Sequence, residues 1–181
     1  MPAPLTRRAA FGGAAAVALA SCGGGDPPPG SGGQPASGAA ALGSLLALEH
    51  AVIAAYEASA GVLRGEARRY ARRIRAQEED HARRLEQAIR GLGGEPPPGR
   101  SAEEYERTFP HLDAERDALH FLEDLEERQV RGLLEALAEL PDHELRLAVA
   151  EIGAEEGEQL GAVRVLGGRP ASPHPFETGA L

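Results

Sequence analysis

Four stretches between residues 39 and 167 repeat apolar side chains three and four positions apart, the spacing of one buried face on an α-helix. The predicted helices cover residues 39–63, 66–92, 114–140 and 143–167. Glycines 93 and 94, the prolines that follow them, and Pro141 interrupt the pattern, because these residues do not continue a helix. The sequence therefore predicts an all-α fold: an antiparallel four-helix bundle of two helical hairpins, joined by a longer crossover between the second and third helices.

The connections and ends of the domain carry further signals. Ser101 and Glu104 have the spacing of a capping box, which predicts a short helical turn in the crossover. Asp113 is the predicted N-cap of the third helix. The helical domain is expected to cover residues 39–168, and residues 169–181 are expected to form an extended tail.

Each predicted buried face is apolar except near its middle, where it carries a glutamate. The four glutamates are Glu49, Glu78, Glu126 and Glu156, and the second and fourth helices add His81 and Gln159 three residues later. The first two glutamates are 29 residues apart and the last two are 30 apart, so the two hairpins repeat one design. A single glutamate on such a face usually lies at a solvated rim. Four at matching depth in antiparallel helices predict a shared site.

The helical register leaves neighbouring acids as alternatives. On the fourth helix the alternative pair is Glu155 with Glu158. On the third helix, Glu123 or Glu127 is the alternative to Glu126.

Other polar residues near these positions receive simpler interpretations. His50, next to Glu49, is expected to support a ligand or to lie at the boundary of the core. Tyr56 is expected to pack in the core, since a buried tyrosine contributes mainly apolar area. The remaining histidines off the buried faces are expected at the surface: His111, His120, His143 and His174.

The four glutamates need a counter-charge if they are buried together. Burial and mutual repulsion raise the pKa values of carboxyl groups in a dry interior, so they resist ionisation. Two divalent cations would neutralise four carboxylates, and a mixture of carboxylate oxygens and imidazole nitrogen suits iron or manganese. The predicted cofactors are two Fe or Mn ions. The predicted ligands are Glu49, Glu78, His81, Glu126, Glu156 and, as a weak ligand, Gln159.

The same stretches resemble the ferritin-like superfamily, in particular the rubrerythrin-like bundles that take one Glu from each of two helices and Glu-x-x-His from each of the other two. The resemblance covers about residues 42–168. The matching stretches are "LALEHAVIAAYEA", "IRAQEEDHARRLEQAIRGLGGEPPP", "FLEDLEERQV" and "VAEIGAEEGEQLGAVRVLGG". The start "LxxEHxxxxxY" and the tail "PASPHPF" are similar to a branch of secreted bacterial ferritin-like proteins.

The resemblance implies iron oxidation, or reduction of oxygen or peroxide, at a di-iron centre. It implies that Glu49 and Glu126 are terminal or bridging ligands, and that His81 is the nitrogen ligand of one iron. It further implies that Glu78 and Glu156 bridge the two ions. The chain departs from the pattern at one position, because Gln159 stands where the family has its second histidine. An amide oxygen is neutral and a weaker ligand than imidazole, which puts the second metal position in doubt.

The first 38 residues have a different character from the helical domain. Arg7 and Arg8 precede a short run of small apolar residues, which predicts an export signal of the twin-arginine type over residues 1–21. That run ends in "LASC", which resembles a bacterial lipoprotein cleavage box with Cys22 as the lipidated residue. The alternative is an ordinary secretory signal in which Cys22 is incidental. Residues 22–38 are rich in glycine, proline and serine and are expected to form a flexible tether.

The charge of the chain restricts its partners. Aspartate and glutamate total 28 against 19 basic residues, so the formal net charge is −9. Loss of Arg7 and Arg8 with the signal would leave 17 − 28 = −11. This acidity argues against nucleic acid as a partner and favours cations. With 1 cysteine there is no disulfide framework and no rubredoxin-type electron-transfer module.

Two hypotheses follow. The first is an exported, lipid-anchored, ferritin-like metal protein of the cell envelope, with oxidase-like, peroxidase-like or iron-handling chemistry. Its membrane contact would run through the lipid on Cys22. A homodimer is left open, and a closed cage is not expected, since an anchor and tether do not fit one. The second is a metal-free bundle with a structural or partner-binding role at the envelope, which Gln159 favours. Enzymatic activity is left open; an active protein would be a di-iron oxidoreductase.

Overall fold

The computed structural model describes residues 34–140 and 142–173, and these residues form five helices. The helices are α1 (Gln34–Ser59), α2 (Gly65–Gly91), α3 (Ala102–Glu106), α4 (Glu115–Glu139) and α5 (His143–Leu166). The described ranges contain no strand, which confirms the predicted all-α class. The predicted signal (1–21), the predicted lipidation site Cys22, tether residues 23–33 and tail residues 174–181 lie outside the described residues.

The four long helices form a ring of neighbours. Helix α1 packs against α2 and α4, α4 packs against α5, and α2 meets α5 to close the ring. The contact between α2 and α5 is the smallest of the four. Short connections join α1 to α2 and α4 to α5, whereas α3 lies in the longer crossover and packs against α1. The arrangement is the predicted pair of hairpins with a longer crossover between them.

The apolar core is divided into two layers by a polar middle. One layer contains, among others, Val52, Tyr56, Ile74 and Leu122. The other contains, among others, Leu42, Leu85, Leu133 and Ile152. Burying one such aliphatic side chain contributes about 1.5–3 kcal/mol, so the two layers together can hold a polar centre that would be unfavourable alone. The centre is thereby shielded from water along the bundle axis.

Several predicted boundaries move in the structure. Helix α1 begins at Gln34, so residues 34–38, predicted as tether, are helical. Pro35 does not prevent this, because the first turn of a helix has backbone N–H groups without helical partners anyway. Residues 60–62, predicted as helix, form a turn after α1. The capping box at Ser101 and Glu104 is confirmed.

The prediction that Asp113 caps the third long helix is wrong. The N-cap of α4 is Ala114, which makes no side-chain cap. The Asp113 carboxylate instead lies 3.1 Å from His111 Nε2 at the surface. Asp142 does cap α5, because its Oδ1 accepts a hydrogen bond of 3.0 Å from the backbone N–H of Leu145.

Near the C-terminal ends of α2 and α4, the buried face differs by one residue from the face that the apolar spacing predicts. The apolar spacing along α2 and α4 would place Ala88 and Leu137 in the core, but both are partly buried, whereas the adjacent Ile89 and Ala136 are buried.

Helix α1 alone among the described helices has the length and mean hydropathy, 1.6 over Gly38–Ser59, to cross a membrane. Its apolar side chains, including Leu42 and Val52, belong to the two core layers. It also carries the buried Glu49 at its middle. We therefore assign α1 to the core of the bundle.

Candidate metal centre

All six predicted ligands lie in the polar middle of the bundle. Each is at most 2% exposed, and the set comprises Glu49 on α1, Glu78 and His81 on α2, Glu126 on α4, and Glu156 and Gln159 on α5. The alternative pair on α5 is not buried: Glu155 is 43% exposed and Glu158 is exposed. The helical spacing that places Val149, Ile152 and Val163 in the core also turns Glu156 inward.

Four of the six side chains converge most closely. One ligand atom from each of Glu49, Glu78, His81 and Glu156 lies within 4.8 Å of the others. His81 Nδ1 is 2.8 Å from Glu156 Oε1 and 3.8 Å from Glu78 Oε2. The shortest of these approaches lacks the orientation of a hydrogen bond. Adjacent ligands of an octahedral ion bound at about 2.1 Å are about 3 Å apart, so the spacing suits two ligands of one ion.

The second nitrogen of His81 points away from this group toward the α2–α5 edge. His81 Nε2 lies 3.2 Å from Glu155 Oε2. An Nε2–H that donates to a carboxylate leaves Nδ1 with its lone pair toward the cluster, the usual support of a metal-binding histidine. Arg84 lies beside the same carboxylate at 3.8 Å and donates a 2.8 Å hydrogen bond to Glu151 at the surface.

Gln129 also lies in the centre, although the buried faces predicted from the sequence do not include it. It is 1% exposed. Its Nε2 donates hydrogen bonds to Glu49 Oε2 at 3.0 Å and to Glu78 Oε2 at 2.8 Å. Glu126-x-x-Gln129 on α4 has the same spacing as Glu156-x-x-Gln159 on α5, and this repeat is the signal that could have found it.

Tyr56 packs in the core as predicted and also contacts the centre. It is 2% exposed and belongs to one of the two apolar layers. Its hydroxyl donates a short hydrogen bond to Glu126 Oε1. The tyrosine therefore links the apolar layer to one predicted ligand, a role beyond packing.

A buried ion cluster separates Glu126 from its acidic neighbours. Glu123 and Glu127, the predicted alternatives on α4, are buried but face Arg164 of α5. Arg164 Nε donates to Glu123 at 3.0 Å, and its Nη2 donates to Glu127 at 2.8 Å. Arg169 adds a 2.6 Å hydrogen bond to Glu123. The arginine thus holds both flanking acids, and Glu126 is the acid of α4 that faces the centre.

The buried acids of the metal-free protein do not titrate alike. Burial raises the pKa of Glu49 and of Glu126 well above the ordinary 4.5, with repulsion from Glu156 adding to both. Burial also raises the pKa of Glu156 to about 7, although the close approach of His81 opposes the shift. For Glu78 burial is outweighed by the nearby His81, by Glu49 and by the hydrogen bond from Gln129, and its pKa falls.

His81 gains a proton in the same environment. Burial alone would lower its pKa, but the nearby carboxylates of Glu156 and Glu78 outweigh burial and raise it from 6.5 to about 10. Without metal, bound protons therefore reduce the repulsion between the carboxylates. One proton is on His81 and others are on the acids with raised pKa values.

Many atoms of the centre have no hydrogen-bond partner among the described residues. They are Glu78 Oε1, His81 Nδ1, Glu126 Oε2, Gln129 Oε1, both oxygens of Glu156 and both amide atoms of Gln159. Each unpaired buried polar group costs about 1–3 kcal/mol. A cation with oxygen and nitrogen ligands would satisfy the carboxylate and imidazole atoms, so this donor set fits a transition-metal ion such as iron or manganese.

The other histidines lie away from this cluster. His50 is partly buried at the boundary of the bundle, where its ring lies against Gly99 of the crossover. His111 and His120 are 89% and 69% exposed, and His143 is exposed, as predicted. His174 lies outside the described residues.

Comparisons with known proteins agree with this architecture. A family model described as "Ferritin-like domain" matches residues 38–169. The fold is similar to a crystal structure of ferritin like, diiron-carboxylate proteins from Bacillus anthracis str. Ames, with a TM-score of 0.63 and 20% sequence identity over 74% of this chain and 97% of that chain. A comparison with curated proteins finds no match. At this identity the structural likeness concerns the fold alone.

Proposed function

Because the chain belongs to the ferritin-like domain family, as its sequence predicts, we propose that it binds iron or manganese at the centre of its bundle and uses the ion for redox chemistry or iron handling. One observation carries the proposal. Glu49, Glu78, His81 and Glu156 converge within 4.8 Å in the buried interior. Three carboxylates and an imidazole so close together are unfavourable in the interior without a counter-charge, which a cation supplies.

A bound iron or manganese ion would supply one-electron chemistry toward oxygen or peroxide. The chain itself provides the environment. The two apolar layers exclude water from both ends of the centre. Glu155 orients His81 through Nε2, and Tyr56 holds Glu126 by its hydroxyl proton. These contacts fix the ligands before an ion arrives, which reduces the cost of reorganisation on binding.

We further propose that the protein is exported and anchored to the outer face of a membrane. The support comes from the sequence: Arg7 and Arg8 before a short apolar run, Cys22 at its end, and a tether rich in glycine and proline. An anchored protein of this kind would meet metal ions and oxidants outside the cytoplasm.

Metal content tests the proposed function. The purified chain is loaded with Fe(II) or Mn(II), excess metal is removed by gel filtration, and bound metal is measured by elemental analysis. We expect at least one equivalent in the wild type and loss of most of it in Glu78→Ala/His81→Ala. The matched control is Asp80→Ala, on the same helix but 58% exposed, which should bind as the wild type does. Less than half an equivalent in the wild type, unchanged in the double variant, would contradict the proposal.

A second candidate function is a metal-free bundle with a structural or partner-binding role. The glutamines favour it: Gln129 bonds two of the carboxylates, and Gln159 replaces a family histidine. The melting temperature of Glu156→Gln separates the two functions. In a metal-free protein the change removes a repelling charge and should raise the melting temperature. A fall of several degrees in the presence of metal, absent with chelator, indicates that Glu156 is a ligand.

A further inference from the structure

The two halves of the centre are not equivalent. A two-ion centre of this family would use the carboxylates of Glu78 and Glu156 in both halves, with Glu49 and His81 completing one half, and Glu126 and the residue at 159 completing the other. In this structure the first half is a compact group of four ligand atoms, and Glu126 and Gln159 are not part of it.

Glu126 is already engaged by the protein. Its Oε1 accepts the hydrogen bond from Tyr56, whose hydroxyl is buried with it. A carboxylate in this arrangement offers Oε2 alone to an ion, since the other oxygen would lose its donor on turning.

Gln159 is a poor replacement for histidine. It is 2% exposed, and neither of its side-chain polar atoms has a partner among the described residues. Its carbonyl oxygen is neutral and hard, and binding through it leaves the NH₂ group buried without an acceptor. Imidazole binds an ion more strongly than a neutral amide oxygen does, and in metal sites its other N–H usually bonds a carboxylate, a backbone carbonyl or water.

Gln129 supports two of the acids of the first half. Its NH₂ group donates to one oxygen of Glu49 and one of Glu78, from two different helices. These hydrogen bonds reduce the repulsion between two of the four carboxylates without any metal charge.

We infer that the protein binds a single metal ion per chain, at Glu49, Glu78, His81 and Glu156, and that the half containing Glu126 and Gln159 does not take a second ion. The inference rests on the proposed metal binding and narrows it. The centre would therefore hold one ion, although the similar structure from Bacillus anthracis is called a diiron-carboxylate protein.

Titration with Co(II) tests the inference, because Co(II) absorbs visibly in oxygen and nitrogen sites and can be counted. The purified full chain is titrated without oxygen, and bound cobalt is measured by elemental analysis after gel filtration. We expect one break in the absorption titration, at one equivalent, in the wild type. Two equivalents would overturn the inference but leave metal binding intact. Less than half an equivalent would overturn both.

Variants locate the ion. Glu126→Gln should keep one equivalent, whereas His81→Ala should lose it. Gln159→His should gain a second equivalent, since it restores the ligand that the second half lacks. Loss of cobalt in Glu126→Gln would overturn the assignment of Glu126 to the half without metal. A Gln159→His protein that stays at one equivalent would overturn the role given to Gln159. Far-UV circular dichroism confirms that each variant is helical, and the wild-type titration decides the stoichiometry without any variant.

Discussion

At the scale of single residues, the centre depends on side chains that donate hydrogen bonds to its buried carboxylates. Tyr56 and Gln129 each give hydrogen bonds to carboxylates that are buried with them. A buried acceptor that loses its donor costs more than an exposed one, because water cannot replace the bond. The donors therefore affect the stability of the fold even when no metal is bound.

Tyr56→Phe tests this dependence. The ring keeps its place in the apolar layer, but Glu126 Oε1 loses the hydroxyl that donates to it. We expect the free energy of unfolding of the metal-free protein to fall by about 1–3 kcal/mol, measured by urea denaturation. Tyr70→Phe is the matched control, since Tyr70 is only partly buried, and should change the free energy by about 0.5 kcal/mol or less. Equal effects of the two variants would contradict the importance of the Glu126 contact.

At the scale of helices, α4 carries acids with two different tasks. Glu126 faces the centre, while Glu123 and Glu127 face Arg164 on α5. The cluster ties the last turns of α5 to the middle of α4. It also reaches the chain after α5, because Arg164 Nη1 donates to the backbone oxygen of Ala171. One arginine therefore sets the position of α5 relative to α4 and holds the start of the tail.

Arg164→Met should be strongly destabilising. It leaves the buried Glu127 without its charged donor and leaves Glu123 with the half-exposed Arg169 alone. Breaking a buried ion pair costs about 3–5 kcal/mol. Arg169→Met is the matched control: Arg169 bonds the same Glu123 but is 51% exposed, so its loss should cost about 1 kcal/mol or less. Thermal and urea unfolding measure both. Recovery of much of the stability in Arg164→Met/Glu123→Gln/Glu127→Gln would confirm the cause, and a loss no larger than the control's would contradict it.

At the scale of the whole molecule, the centre makes stability depend on pH. The pKa of His81 is raised from 6.5 to about 10, and that of Glu156 from 4.5 to about 7. The folded, metal-free protein therefore holds protons that the unfolded chain releases, so its free energy of unfolding falls as pH rises through this window. Glu78 has a lowered pKa and acts oppositely, but its contribution is lost only as pH falls below 4.5.

Thermal unfolding between about pH 5 and pH 9 checks the dependence. With a chelator, the melting temperature should fall steadily as pH rises. With Mn(II), the increase in melting temperature over the chelated protein should grow with pH, because binding displaces protons from His81 and the acids. His81→Ala should flatten both curves. If the metal-free protein became more stable toward pH 9, the raised pKa values of His81 and Glu156 would be contradicted.

The proposed anchor makes a prediction for the full chain in a bacterial host. Wild type should incorporate radiolabelled fatty acid and sediment with membranes, and Cys22→Ala should do neither, because Cys22 is the only thiol in the sequence. Arg7→Lys/Arg8→Lys should leave the precursor in the cytoplasm if the signal is of the twin-arginine type. Label in the Cys22→Ala protein would contradict lipidation at this residue.

The sequence predicts the four helices and the position of the buried glutamates along them, because both follow from the spacing of residues within a single helix. Glu126 is distinguishable from Glu123 and Glu127 since it continues the spacing from Leu122 to Val130. The burial of Gln129 and Arg164 was not predictable in the same way. Polar side chains usually face solvent, and these two are buried only because acids from other helices meet them. Metal binding by the six predicted ligands stays a prediction.

The contact between α2 and α5, the smallest between neighbouring long helices, affects how easily solvent reaches the centre. Glu155 touches His81 Nε2 and is 43% exposed, so a single layer of side chains separates the histidine from solvent there. Rotation of exposed side chains takes picoseconds to nanoseconds, whereas separation of packed helices is far slower. We therefore expect rotation of Glu155 to be enough for solvent protons to exchange with His81 Nε2, without separation of the packed helices.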